Sequence, residues 1–280
     1  MDMEKLFLRF MKEAGEIAVS YQDKIANTEN HCKEDTAASV VTEADTAISK
    51  KFKEFLAKEI DHDDYVIIDE ETIGGLGEDK YKTVNEKTYQ FVIDPIDGTL
   101  PYSLGMPMYG IVVGMMKNMK PYLGAVYCPG IGELVVYGGK DVKRYKNPFT
   151  DKEKVTVLTE SDKEPVLIFP KPSSCQIDSF RFNRKKEVSV DFYATAIHAV
   201  YLALGLAKAF AYSVSLWDIA GAWPILNKLG LKFFNAKTGK ELTSCTAETF
   251  SDAFKVKDVH IICKERDFKR IQELAVLKKK

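Results

Sequence analysis

Apolar residues near the start of the chain recur at three- and four-residue spacings. Leu6, Phe7, Phe10, Met11, Ala14, Ile17, Ala18 and Tyr21 therefore share one face of an amphipathic helix. A polar stretch over residues 27–39 reads as a loop. A second helix is predicted over residues 42–60, with Ile48, Phe52, Phe55 and Leu56 on one face. The pattern then changes. Residues 65–68 and 89–93 are short β-branched and aromatic runs without polar alternation, as expected of buried strands. Further strands are predicted over residues 110–116, 122–127 and 133–137, set apart by turn signals at Lys117-Asn118 and Pro129-Gly130.

The charged segment 143–154, which contains Pro148, interrupts this alternation and is taken as a lobe boundary. It divides the chain into residues 1–145 and 146–280. The second half reads as strands over 155–158 and 166–169, a helix over 195–206, a strand running towards 216 and a helix over 219–229. A strand over 231–234, a Lys237-Thr238-Gly239 turn and a closing amphipathic helix follow. Alternating helices and strands without a long linker predict an α/β protein of two tightly packed lobes sharing one cleft.

Composition narrows the function classes. Lys and Arg number 40 against 41 Asp and Glu, a net charge of −1. A duplex nucleic-acid partner is not expected, because phosphate neutralisation calls for a basic excess or stripe. The most apolar stretch, residues 194–226, is interrupted by Lys208 and Asp218, so no membrane span is expected. Five scattered cysteines without a Cys-x-x-Cys pair argue against a disulfide framework or thiolate zinc site and point to a reducing, cytoplasmic setting. The opening residues lack the apolar core and small-residue cleavage site of a signal peptide.

The candidate chemistry lies in acids at the ends of apolar segments. Asp69-Glu70-Glu71 follows one predicted strand, Asp94 ends another with Asp97 three residues on, and Asp218 ends the apolar run from Ala209. Asp45 falls in the first turn expected for the second helix. Taken singly, each acid has an ordinary explanation: Asp45 or Asp218 as a helix cap, Asp97-Gly98 as a turn, Glu70-Glu71 as solvated loop. The segment Asp94-Pro95-Ile96-Asp97-Gly98-Thr99 is harder to dismiss. Pro95 stiffens the chain and holds Asp94 extended, while Gly98 permits a sharp reversal. Two carboxylates and the Ile96 carbonyl then share one rigid turn, the all-oxygen donor set that magnesium prefers. Thr99 can open a helix whose free N–H groups face a phosphate.

This segment resembles the signature of the inositol monophosphatase family, within the wider group of lithium-sensitive, magnesium-dependent phosphatases that includes fructose-1,6-bisphosphatase and adenosine 3',5'-bisphosphate phosphatase. Three further segments match in order: Val41-Thr42-Glu43-Ala44-Asp45, Asp69-Glu70-Glu71-Thr72 and Trp217-Asp218-Ile219-Ala220-Gly221-Ala222. The resemblance implies an αβαβα sandwich, a homodimer, lithium inhibition, two or three Mg2+ ions per site and hydrolysis of a small phosphorylated substrate without a phosphoenzyme. It implies that Glu70, Asp94 and the Ile96 carbonyl hold one ion, and that Asp94, Asp97 and Asp218 hold another. Thr99, oriented by Asp45, is implied to position and activate the attacking water, with Gly98, Thr99 and Asp97 at the phosphate.

The chain also departs from the pattern. Leu100-Pro101 stands where a polar residue and Asn are usual, Lys208 replaces an acid, and the acid that reads inositol hydroxyls is replaced by Ala211 or Tyr212. Lys208 suggests a second anionic group on the substrate, with Lys33, Lys171, Arg181 and Arg184 as further basic candidates. Two alternatives thus accompany a phosphomonoesterase: a bisphosphate-specific relative, and a catalytically weak member acting as a binding or regulatory protein. His198, in an apolar helix, is expected to be a satisfied core histidine.

Overall fold

The computed structural model describes residues 2–26, 34–77, 79–170, 177–180 and 187–277. Two long helices open the chain, α1 (Met3–Ala26) and α2 (Glu34–Glu59). β1 (Tyr65–Asp69) follows, then a short 3-10 segment (Glu70–Leu76), α3 (Lys80–Asn85) and β2 (Tyr89–Asp97). After α4 (Thr99–Ser103) the chain makes a meander of β3 (Gly110–Lys117), β4 (Lys120–Cys128), β5 (Glu133–Tyr137), β6 (Val142–Lys146) and β7 (Lys154–Leu158). These seven strands form one sheet in sequential order, antiparallel except for the β1–β2 pair.

The remainder builds a second sheet and its covering helices. Its elements are β8 (Leu167–Pro170), β9 (Ile177–Phe180), β10 (Val188–Ser189), α5 (Thr195–Ala203), β11 (Ala207–Tyr212), α6 (Leu216–Ala220), α7 (Ala222–Lys228), β12 (Leu231–Asn235), β13 (His260–Lys264), α8 (Glu265–Leu274) and β14 (Ala275–Leu277). The sheet order is β10-β8-β11-β13-β12, and β14 pairs separately with β9.

Three apolar clusters define the layers. Leu6, Phe10, Phe52 and Phe55 seat α1 and α2 on one face of the first sheet, against Phe91, Ile93 and Ile111. Val92, Val112 and Val126 on its other face meet α5, α6 and α7, which also cover Phe210 and Phe233 of the second sheet. Ala209, Ala211 and Ile261 then face α8 through Ile271 and Leu274. The order is helix, sheet, helix, sheet, helix: the expected αβαβα sandwich.

Several sequence expectations shift. The second helix starts at Glu34 rather than residue 42, because Glu34, Ala37 and Ala38 favour helix despite the polar run. Asp45 is consequently inside the helix and not at its cap. Part of the expected 27–39 loop is therefore helical, and residues 27–33 lie outside the described residues. The first sheet continues beyond residue 145 through β6 and β7, so the change of sheet falls between Leu158 and Leu167. β6 was hidden by its charges: Val142 and Tyr145 are buried, while Lys143 pairs with Glu4 at 2.8 Å and Arg144 with Glu133 at 2.5 Å. β13, central to the second sheet, was missed altogether. The helix expected over 219–229 begins earlier and breaks at Gly221 into α6 and α7.

The middle layer lies unusually close to the first sheet. A Cβ on Gly221 would stand 2.5 Å from the Ala125 carbonyl oxygen and 2.8 Å from that of Val113; one on Gly114 would meet the Ala220 backbone at 2.5 Å. Real Cβ atoms do not approach this closely, so glycine is required on both sides. Here the α6–α7 junction rests directly on β3 and β4, which brings the start of α6 to the end of β2.

Candidate metal and phosphate site

Four elements meet at that junction. β2 pairs with β3 regularly as far as Asp94↔Val112, and pairing resumes at Asp97↔Gly110. One extra residue on β2 is thus accommodated at Pro95-Ile96, a bulge that re-aims the end of the strand. Asp94 and Asp97 are both buried. Gly98 then takes φ +91, in the left-handed region, and a Cβ there would meet that of Ala194 at 2.7 Å. The reversal thus needs glycine for both conformation and space. α4 starts at Thr99 as expected, its hydroxyl donating to the Ile96 carbonyl at 3.4 Å.

Asp97 is held by α5: the Ala196 amide, in the first turn of that helix, donates to its Oδ2 at 2.6 Å. Asp218 caps α6, accepting from the Ser215 amide at 2.6 Å in a reciprocal capping box. Its capping role leaves it beside the other acids. Carboxylate oxygens of Asp94, Asp97 and Asp218 all lie within 4.8 Å of one another. Three acids so placed repel each other unless a cation stands among them.

The electrostatics report that conflict. Burial, then the charges of Glu70, Asp97, Asp218 and Asp45, raises the Asp94 carboxyl well above the usual carboxylate range. One Asp94 oxygen, Oδ1, is buried without a hydrogen-bond partner, an expensive arrangement for a carboxylate that lacks a cation. Glu70 is exposed as a residue, but its carboxyl end turns inward; desolvation and Asp218 push it up to about 7, against a hydrogen bond with Asp94 that lowers it. Asp45, buried on α2, is pushed up to about 8 by burial and by Glu71, Glu70 and Asp69. Asp94, Asp97 and Asp218 thus converge, and the charges of Glu70 and Asp45 act on Asp94 from beside them. Oxygen donors, an orphaned buried carboxylate oxygen and mutual repulsion fit a hard divalent cation.

Other expectations separate from it. Among the described residues Thr99 makes no hydrogen bond to Asp45. Lys208 lies near the start of β11 and is paired with Glu164 at 3.1 Å and Asp267 at 3.9 Å. From Lys208 to Tyr212 the strand covers roughly 13 Å before the chain turns towards Ser215. The structure does not bring Lys208 to the acids. Ala211 and Tyr212 are fully buried and cannot face a substrate hydroxyl. Lys33, Lys171, Arg181 and Arg184 lie outside the described residues. His198 is a core histidine as expected, stacked on Phe169 at 4.3 Å and accepting from the Phe192 amide at 3.1 Å. No described helix is long and apolar enough to cross a membrane.

Sequence reasoning missed the supports. Ser215 and the Ala196 amide carry no signature of their own. Asp69 was noticed only as part of an acidic run, yet its side chain is fully buried. The spacing of Asp45, Ser49 and Lys53 by four was the available signal, since it sets all three on one face of α2.

The sequence profile of the inositol monophosphatase family matches residues 3–275. A fructose-1,6-bisphosphatase/inositol-1-monophosphatase of Aquifex aeolicus is 30% identical over 55% of this chain and 60% of its own length. Inositol monophosphatase 1 of Sus scrofa is 25% identical over 78% of each chain. In three dimensions, inositol monophosphatase II from Staphylococcus aureus superposes with a TM-score of 0.72 at 18% identity, covering 98% of this chain and 92% of that one.

Proposed function

The chain belongs to the inositol monophosphatase family, and on that premise we propose that it is a magnesium-dependent phosphatase of small phosphate monoesters. The observation that carries this reading is the convergence of Asp94, Asp97 and Asp218, with a buried Asp94 oxygen left unpartnered. Glu70, Asp94, Asp97, Asp218 and the Ile96 carbonyl would hold the ions. Bound there, Mg2+ supplies Lewis acidity that acidifies a water and offsets phosphoryl charge.

The chain's own groups do the rest. The turn at Gly98 presents the first amides of α4 towards an anion, and Thr99 places a hydroxyl beside them. Asp45, buried and outside the close trio, would in its ionised form take a proton through Thr99 once that hydroxyl turns from the Ile96 carbonyl. The Ala196 amide, at the start of α5, keeps Asp97 in place.

The substrate class is a sugar, polyol or nucleotide phosphate. The name of the Aquifex relative covers both a sugar bisphosphate and an inositol phosphate, and the staphylococcal protein of the same fold has been solved with inositol monophosphate and with 2'AMP bound. Lithium inhibition and a homodimer belong to the same proposal on family grounds, and a cytoplasmic setting on the cysteine pattern; a lithium titration, light scattering and cell fractionation test them. The decisive assay measures phosphate released from inositol, fructose, glycerol and adenosine phosphates with Mg2+ or with chelator. Mg2+-dependent release that is lost in Asp97→Asn is expected. No release from any of them in the parent protein overturns the reading and favours a binding or regulatory role.

A further inference from the structure

Asp69 stands next to Glu70, and four groups converge on its buried carboxylate. Ser49 Oγ donates to Oδ1 at 2.8 Å, and the Glu71 amide donates to the same oxygen at 3.1 Å. Thr72 Oγ1 donates to Oδ2 at 3.1 Å, and Lys53 Nζ lies 2.8 Å from Oδ2. Lys53 also donates to Thr72 Oγ1 at 2.9 Å. Two of these partners belong to the acidic 3-10 segment and two to α2, one and two helical turns beyond Asp45. A carboxylate with no exposed surface that accepts this many bonds fixes the backbone on both sides of Glu70, and ties it to the helix that carries Asp45.

We propose that Asp69 is a positioning residue which, clamped by Ser49 and Lys53, holds Glu70 in register with Asp94 and Asp218 for cation binding. Glu70 is itself exposed, and the apolar anchors of its segment, Ile73 and Leu76, pack on the core further along, next to Gly74 and Gly75, so that packing fixes the far end of the segment and not the Glu70 side chain. Groups that orient a metal-binding side chain through hydrogen bonds commonly change metal affinity by about 10–100-fold when removed. Lys53 serves the clamp as well as the charge balance: it offsets the Asp69 charge that acts on Glu71 and Asp45.

The inference rests on the proposed cation site, and its test is chosen to separate the two. Mn2+ binding is measured without substrate, by calorimetry and electron paramagnetic resonance, on the full chain and on Asp69→Asn, Asp69→Ala, Ser49→Ala and Lys53→Met. Asp69→Ala is expected to weaken Mn2+ binding about tenfold or more. Ser49→Ala and Lys53→Met should each weaken it by a smaller factor, and Asp69→Asn, which keeps the shape but loses the ion pair, should fall between parent and Asp69→Ala. Circular dichroism identifies any variant that fails to fold; Ser49→Ala, the mildest change, then decides. The activity of folded variants should be restored by raised Mg2+, so that the metal requirement moves more than kcat at saturation. Parent-like Mn2+ affinity in every folded variant overturns the inference while leaving the cation site intact. A parent protein that binds no Mn2+ overturns the cation site itself, and the inference with it.

Discussion

In the metal-free protein the acid site is a source of instability that grows as pH rises. Asp45 titrates at about 8 in the folded chain, from an ordinary value of 3.8, because it is buried and faces Glu71, Glu70 and Asp69. A carboxyl whose folded value is raised holds a proton that the unfolded chain has already lost. The folded state therefore binds more protons between these two values, and stability falls as pH rises through them. His260 works in the opposite sense: burial lowers it from 6.5, so below that value the unfolded chain takes the extra proton. Between pH 6.5 and 8 the unfolded His260 goes from half protonated to neutral, so it opposes the Asp45 trend only in the lower part of that window. The slope starts near 1.4 kcal/mol per pH unit and falls to about half of that at pH 8, where Asp45 is half ionised in the folded chain, so the interval costs about 1 kcal/mol once the opposing His260 is subtracted. Glu70 adds to the same sign, but it is exposed as a residue and screened by solvent, so it is left out of the sum.

For a chain of 280 residues, about 1 kcal/mol corresponds to a fall in Tm of roughly 2 °C. Differential scanning calorimetry in chelator at pH 6.5, 7.25 and 8 measures it directly. Asp45→Asn should flatten the slope, since the amide has no proton to lose, and Mg2+ should raise Tm most at pH 8, where the carboxylates are ionised. A parent Tm that stays level or climbs between pH 6.5 and 8 in chelator refutes the reasoning, as does an equal slope in Asp45→Asn.

Three other outcomes follow from the geometry. Gly98→Ala puts a Cβ 2.7 Å from that of Ala194 at φ +91; a loss of about 2–3 kcal/mol in chemical denaturation is expected, with phosphatase activity falling at least about tenfold. Asp218→Asn should reduce Mg2+-dependent turnover by about a hundredfold or more, and Asp218→Ala should in addition lower Tm through the lost cap at α6, a cost of about 1 kcal/mol. Lys208→Ala should leave KM for mono- and bisphosphates unchanged within about twofold, because the lysine is occupied by Glu164 and Asp267; a selective rise for bisphosphates would return it to the substrate site.

Much of the architecture was legible because burial leaves a period. α1 and the strands β1 to β5 follow runs of buried side chains, and their boundaries held within a few residues. β6 and the opening of α2 were not legible, since charged or polar residues occupy them, and the partners that make those charges tolerable are distant in sequence: Glu4 for Lys143, Glu133 for Arg144. At the site, the turn 94–99 declared itself through Pro95 and Gly98, whose backbone constraints are local. Asp45 was selected for its motif, while its expected position at a helix start was wrong, because nothing in the polar run marks a beginning eight residues earlier. Lys208 shows what a local reading leaves out. A change of charge in the sequence suggested a new substrate contact, yet its charge is balanced by two acids from other segments, which no local reading could anticipate.

The glycine contacts explain why the acids converge although they come from both halves of the chain. Asp94 and Asp97 belong to the first sheet, Asp218 to α6, which lies in the middle layer against β2 and β3. Side chains of ordinary size between α6 and the sheet would hold the layers some 10 Å apart, too far for three carboxylates to share an ion. Gly114 and Gly124 on the sheet face Ala220 and Gly221 on the helix junction, with backbone against backbone. The usual apolar filling is given up along this seam, and the Val92, Val112 and Trp223 packing around it offsets the loss. The site is thus built by subtraction: close approach delivers Asp218 to Asp94 and creates the repulsion that a cation would relieve. Widening the seam by one methyl group, as in Gly124→Ala, would move Asp218 and destabilise the middle layer together, so metal affinity and Tm should fall in step. If Tm fell while Mn2+ affinity held, the seam would be packing alone.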